Sequence, residues 1–167
     1  MSRDAFDILS LPARLDLPEA DIEGAYLAQI ARIHPDLAGG DAEDAMALAA
    51  QVNDARRTLA DPLSRAEVLL ARLGGATASE DKSLPPGFLM EIMELREGVE
   101  ADRASGDPAR LEARSREAIT RRNEFVERLT PIFASAFGAS KAPADTLAQI
   151  RTELNAWRYT ERLIEQL

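Results

Sequence analysis

The chain is 167 residues long, 46% apolar and 29% charged, which suits one sizeable domain or two small ones with a real core. Its net charge of −9 repels phosphate, so neither nucleic acid nor an anionic membrane is an expected partner. With no cysteine there can be no disulfide, thiolate nucleophile or cysteine metal site, and a cytoplasmic location is expected. The start, "MSRDAFDILS", has no long apolar run behind a basic end, so no signal peptide is expected. No stretch approaches the roughly 20 apolar residues of a membrane-spanning helix.

Alanine and leucine dominate and β-branched residues are few, which predicts an all-α protein. "RDAFDILSLP" is a short helix carrying Phe6, Ile8 and Leu9, closed by Pro12. In "DLPEADIEGAYLAQIARIH", Pro18 suits a first-turn position and Glu19, Asp21 and Glu23 favour the helix N-terminus. Ile22, Tyr26, Ile30 and Ile33 then recur at helical spacing. Pro35 disfavours the α conformation at His34, so the helix should end there. Asp41 can cap "AEDAMALAAQVNDARRTLA", with Met46, Ala49, Val52 and Leu59 among its apolar positions. "DPLSRAEVLLARLGG" combines a capping aspartate, a proline at the first helical position and terminal glycines.

"GGATASEDKSLPPG" reads as a linker: small, polar and without periodicity. Three long helical patterns follow. "GFLMEIMELREGVEADRAS" stops at Gly106, "DPARLEARSREAITRRNEFVERLTPIFASAF" should kink or break at Pro131, and "APADTLAQIRTELNAWRYTERLIEQL" is the last. Short connections predict an antiparallel three-helix bundle. The expected domains are residues 1–74, a linker at 75–86, and residues 87–167.

His34 is the only histidine. Beside Asp36 it could act as a general base, but no cysteine nucleophile exists, and Ser2 and Ser10 lie in no recognisable elbow. One histidine with scattered acids is a poor metal set, so neither a metal nor a cofactor is expected. Enzyme chemistry at His34 and Asp36 would also require an acid–base pocket beside that loop.

Helices flanking "HPD", followed by "VNDARRTLADPLSRAEVLL" and "FLMEIMELRE", resemble the HscB family, the J-type co-chaperones of iron–sulfur cluster assembly. The resemblance covers nearly the whole chain in order. It implies an N-terminal J-domain, an antiparallel helical hairpin with an HPD loop, and a C-terminal helical domain that holds the scaffold protein IscU. It implies no enzymatic activity of the chain's own. An HscA-like, DnaK-type chaperone ATPase would meet His34, Pro35 and Asp36, with Arg32 beside them. Proline would stiffen the loop, and Asp36 could pair with a basic group on the ATPase. The chain departs from the pattern in having only Arg32 as a base on the helix before HPD, Ile33 in place of an aromatic, and Leu37 in place of a lysine. Weaker, less salt-sensitive docking, or a partner with altered charge, is expected. Arg56, Arg57 and Arg65 on later helices could compensate, but they read first as ordinary solvated arginines.

Advancing about 100° per residue along "GFLMEIMELREGVEA" puts Phe88, Ile92, Leu95 and Val99 on one core-facing stripe. Leu89, Met90 and Met93 fall off it, among Glu94, Glu97 and Glu100. Apolar side chains with a charged rim suggest a binding surface, and methionine adapts its shape to a partner. The resemblance implies that Leu89, Met90, Met93, Glu94, Glu97 and Tyr159 bind the scaffold, while Ala101 stands where the family pattern is acidic. Arg96 could pair with Glu100, and Trp157 reads as core. The basic run "RSREAITRRNE" should decorate a bundle face through opposite-charge pairs. The alternatives are a J-domain co-chaperone for a different client, or a helical adaptor without an ATPase partner.

Overall fold

The computed structural model describes residues 3–33 and 42–165, and these residues contain seven α-helices and no strand. The chain divides into two compact units, Met1–Leu69 and Leu70–Leu167.

The first unit begins with α1 (Ala5–Leu9), capped by Asp4, whose carboxylate accepts from the backbone of Phe6 and Asp7 while Asp7 returns a bond to the Asp4 amide. It ends at Ser10 in the left-handed conformation, with φ 56°. Helix α2 (Glu19–Ile33) starts where the Pro18 carbonyl accepts from Asp21 and Ile22. Helix α3 (Ala42–Ala60) lies against it through two polar cross-links. The Tyr26 hydroxyl donates to Asn53 at 3.0 Å, and Arg56 donates to Glu23 at 2.7 Å while stacking over the Tyr26 ring at 5.0 Å. The partners advance in opposite directions along the two helices, so α2 and α3 run antiparallel. Phe6, Leu9, Leu15, Leu17, Ile22, Val52 and Leu59 form the core between them. Met46, by contrast, points to solvent.

Helix α4 (Pro62–Arg72) opens on Asp61, whose carboxylate accepts from the Ser64 amide at 2.8 Å. It closes with the Gly74 amide on Ala71 and the Gly75 amide on Leu70. Gly74 sits at φ +77°, and a Cβ on Gly75 would lie 2.2 Å from the Leu70 side chain, so neither position accommodates a larger residue without strain.

Arg65 corrects the sequence reading: it is a buried residue, only 6% exposed. Its Nη1 donates to the Leu17 carbonyl at 2.8 Å, tying α4 to the segment that leads into α2. Burial pushes the guanidinium below its usual value, while Asp61 and Asp16 pull it back up. Its Nε finds no acceptor among the described residues. Arg65→Ala should lower stability by about 1–3 kcal/mol, because the Leu17 carbonyl loses its charged donor in a water-poor site. Urea denaturation of the two proteins side by side measures the difference.

In the second unit, α5 (Phe88–Ser105), α6 (Pro108–Gly138) and α7 (Ala144–Ile164) pack on one another. Gly106 at φ +66° ends α5, and Asp107 caps α6 through the Ala109 amide at 3.0 Å. Helix α6 does not break at Pro131. Proline removes one amide and crowds the carbonyl four residues back, but Pro131 is exposed, so water can satisfy that carbonyl. The strap before α5 is held to α7 by buried Asn155, whose amide donates to the carbonyls of Asp81 and Ser83 at 3.0 and 2.9 Å.

Trp157 centres the core of this unit and is fully buried. Its ring stacks on Phe125 at 5.6 Å, with 2° between the planes. Its Nε1 donates to Glu161 at 2.8 Å, and Glu161 also receives Arg122. The basic run on α6 is laced with acids as expected: Arg116 pairs with Glu112, Arg114 with Asp102 and Glu117, and Arg121 with Glu91.

Candidate functional site

Helix α5 carries the candidate site because its two faces differ. Phe88, Ile92 and Val99 are buried and Leu95 is half-buried, which fixes the rotation of the helix. The same rotation turns Leu89, Met90 and Met93 outward, with exposures of 55%, 70% and 55%. Their apolar surface stays in water, although burying such side chains is worth about 1.5–3 kcal/mol each. Glu94, Glu97 and Glu100 are also exposed. At 100° per residue, Glu97 falls between the directions of Met93 and Met90, one turn further on.

The third long helix completes the surface. Tyr159, 40% exposed, meets Phe88 edge-on at 6.2 Å between ring centres. That contact fixes the tyrosine ring beside the start of α5. Leu89, Met93 and Tyr159, with buried Ile92 and Leu163, line a shallow groove of about 170 Å³ between α5 and α7.

Two lining residues escaped the sequence reading, Arg96 and Arg162. Arg96 makes no ion pair with Glu100 among the described residues, and it borders the groove instead. Arg162 lies over the Tyr159 ring at 5.9 Å. Their signal was spacing: Arg96 is three residues beyond Met93, and Arg162 three beyond Tyr159, each on its neighbour's helical face. The surface is therefore apolar at its centre, with carboxylates on α5 and two guanidiniums at the groove.

The second candidate site lies at the end of α2. Arg32 is exposed in its last turn. His34, Pro35 and Asp36 lie outside the described residues. Among the exposed residues of α2 after Asp21, Gly24, Leu27, Ala28 and Ala31 carry no charge, leaving Arg32 as the one exposed cation of this helix. Among the described residues no group of three His, Cys, Asp or Glu side chains could hold a metal ion, and no helix is long and apolar enough to cross a membrane.

Residues 84–167, which carry the groove, match the family described as the HSCB C-terminal oligomerisation domain. Over 150 residues the chain is 37% identical to the co-chaperone protein HscB homologue of Burkholderia cenocepacia, covering 87% of this chain and 85% of that one. The chain belongs to the HscB co-chaperone family. The HscB homologue of Paraburkholderia phytofirmans is 35% identical over the same coverage. The structure is similar to that of HscB from Vibrio cholerae, at 31% identity and a TM-score of 0.65, covering 98% of this chain and 99% of that one. It shares its fold with the human co-chaperone protein HscB, with a TM-score of 0.75 at 23% identity, covering 99% of this chain and 80% of that one. The all-helical architecture is thus that of HscB structures, and the groove lies in the part of the chain matched by the family's C-terminal domain.

Proposed function

We propose that the chain holds an IscU-like iron–sulfur scaffold protein on the α5–α7 face and delivers it to an HscA-like, DnaK-type chaperone. In this reading residues 1–74 form a J-domain and residues 75–86 link it to the cargo domain at 87–167. His34, Pro35 and Asp36, with Arg32, dock on the chaperone and stimulate its ATPase; hydrolysis occurs in the partner, in the cytoplasm. Leu89, Met90, Met93 and Tyr159 supply apolar contact, and Glu94 and Glu97 supply the polar rim.

The observation that carries this reading is the outward cluster Leu89, Met90 and Met93 beside Tyr159, in a chain that belongs to the HscB family. A folded chain rarely leaves grouped large apolar side chains in water unless they meet a partner. Central apolar anchors ringed by charge are the usual anatomy of a specific interface. Met90→Ala combined with Met93→Ala should weaken scaffold affinity by about 1–3 kcal/mol, the range for truncating interface anchors. Both side chains are exposed, so the fold should keep its stability. Calorimetric titration with the scaffold protein checks this, and unchanged affinity would place the cargo face elsewhere.

A further inference from the structure

The sequence has four methionines and no cysteine. Three of the methionines fall in described residues, and all three are exposed: Met46 at 75%, Met90 at 70% and Met93 at 55%. Thioethers commonly fill gaps in protein cores, but these do not. Thioethers are therefore the sulfur of this chain that an oxidant in solution can reach, and two of the three lie on one face. Met90 and Met93 are three residues apart on α5, neighbours on the helix surface, and Met93 lines the groove with Leu89 and Tyr159. Met46 sits on α3, in the other compact unit.

We propose that Met90 and Met93 are an oxidation-sensitive site at which hydroperoxides, acting on the unbound chain, block docking of the scaffold protein. This rests on the cargo reading above and adds a means of regulating the same face. The sulfur lone pair attacks the terminal oxygen of the hydroperoxide. The S–O bond forms as the O–O bond breaks, and the leaving oxygen takes up the proton as an alcohol, or as water from hydrogen peroxide. Sulfur is oxidised by two electrons and the peroxide is reduced by two. The product, methionine sulfoxide, replaces an apolar, flexible side chain by a polar one, and methionine sulfoxide reductases reverse the change. On the free chain water hydrogen-bonds the new oxygen, so the fold tolerates it. Under a docked apolar surface that water is lost, and burying a polar group without full compensation is unfavourable. Oxidation therefore acts on binding and spares folding.

The experiment treats the full-length chain with hydrogen peroxide, maps sulfoxides by peptide mass, and titrates the product with the scaffold protein by calorimetry. Sulfoxides should appear at Met90 and Met93, affinity should fall roughly tenfold or more, and the two methionine sulfoxide reductases, one for each epimer, supplied with a dithiol reductant should restore it. The helical circular dichroism should not change. Met46→Leu should respond to peroxide as the parent chain does. Met90→Leu with Met93→Leu, whatever its starting affinity, should bind equally before and after peroxide. If the oxidised parent chain binds as tightly as the untreated one, or the double variant still loses affinity, the proposal is overturned. If the untreated chain fails to bind the scaffold, the cargo reading itself fails.

Discussion

Trp157→Ala should cost about 3–5 kcal/mol of stability, the range for deleting a buried large aromatic. The indole is fully buried and stacked on Phe125, so alanine leaves a cavity on the α6–α7 contact. Its Nε1 also donates to Glu161, which pairs with Arg122 and is itself only 15% exposed. Removing the indole strips a half-buried carboxylate of one of its donors as well as opening the void. Typical domains have about 5–15 kcal/mol in all, so much of the stability would be lost. The groove would suffer with it, because Tyr159 and Leu163 follow Trp157 within two turns of the same helix. Trp157→Phe separates the two contributions: it keeps a ring against Phe125 and loses the indole donor. It should cost less than the alanine variant. Urea denaturation followed by Trp-independent helical circular dichroism measures both, and equal costs would show that the stacking adds nothing.

His34→Gln should reduce stimulation of the chaperone ATPase to the chaperone's own basal rate while leaving scaffold affinity unchanged. Glutamine keeps polarity and approximate length but lacks the imidazole ring. Loss of an interface anchor costs about 2 kcal/mol or more, a shift of roughly thirtyfold or more in the concentration needed for half-maximal stimulation, so at concentrations that half-saturate the parent chain the rate stays near basal. The loop should matter more here than in a J-domain with a strongly basic helix, because the exposed face of α2 offers Arg32 as its one cation. Steady-state ATP hydrolysis against chain concentration reads the first effect, and calorimetry with the scaffold reads the second. Equal stimulation by the variant would remove the J-domain from the account.

Much of the fold was legible because it is local. Asp61 announces a helix start, Gly74 and Gly106 announce stops, and those signals act over a few residues. The outward rotation of Leu89, Met90 and Met93 was legible for the same reason: four apolar residues at helical spacing fix the phase of everything between them. Trp157 was legible as core because it lies where the last helix must face its neighbours.

The misread residues depend on what lies across space. Arg65 looks like any helix-surface arginine in sequence. Only the approach of the Leu17 carbonyl, 48 residues earlier, makes it a buried tie. Pro131 was expected to kink or break its helix; the helix continues through it, and its exposed position leaves the freed carbonyl to water. Arg96 had a candidate partner one turn along in Glu100, in the weaker base-before-acid order, and it borders the groove instead. Arg162 carried only its spacing from Tyr159 as a signal, and the groove itself forms only where α7 meets α5.

The most direct test is the ATPase rate of the DnaK-type chaperone, measured with this chain alone, with the scaffold protein alone, and with both together. A two-handed carrier predicts stimulation by the chain alone and a larger rate when both are present than the two separate effects combined. A rate that the chain leaves at its basal value, with scaffold or without, would contradict it.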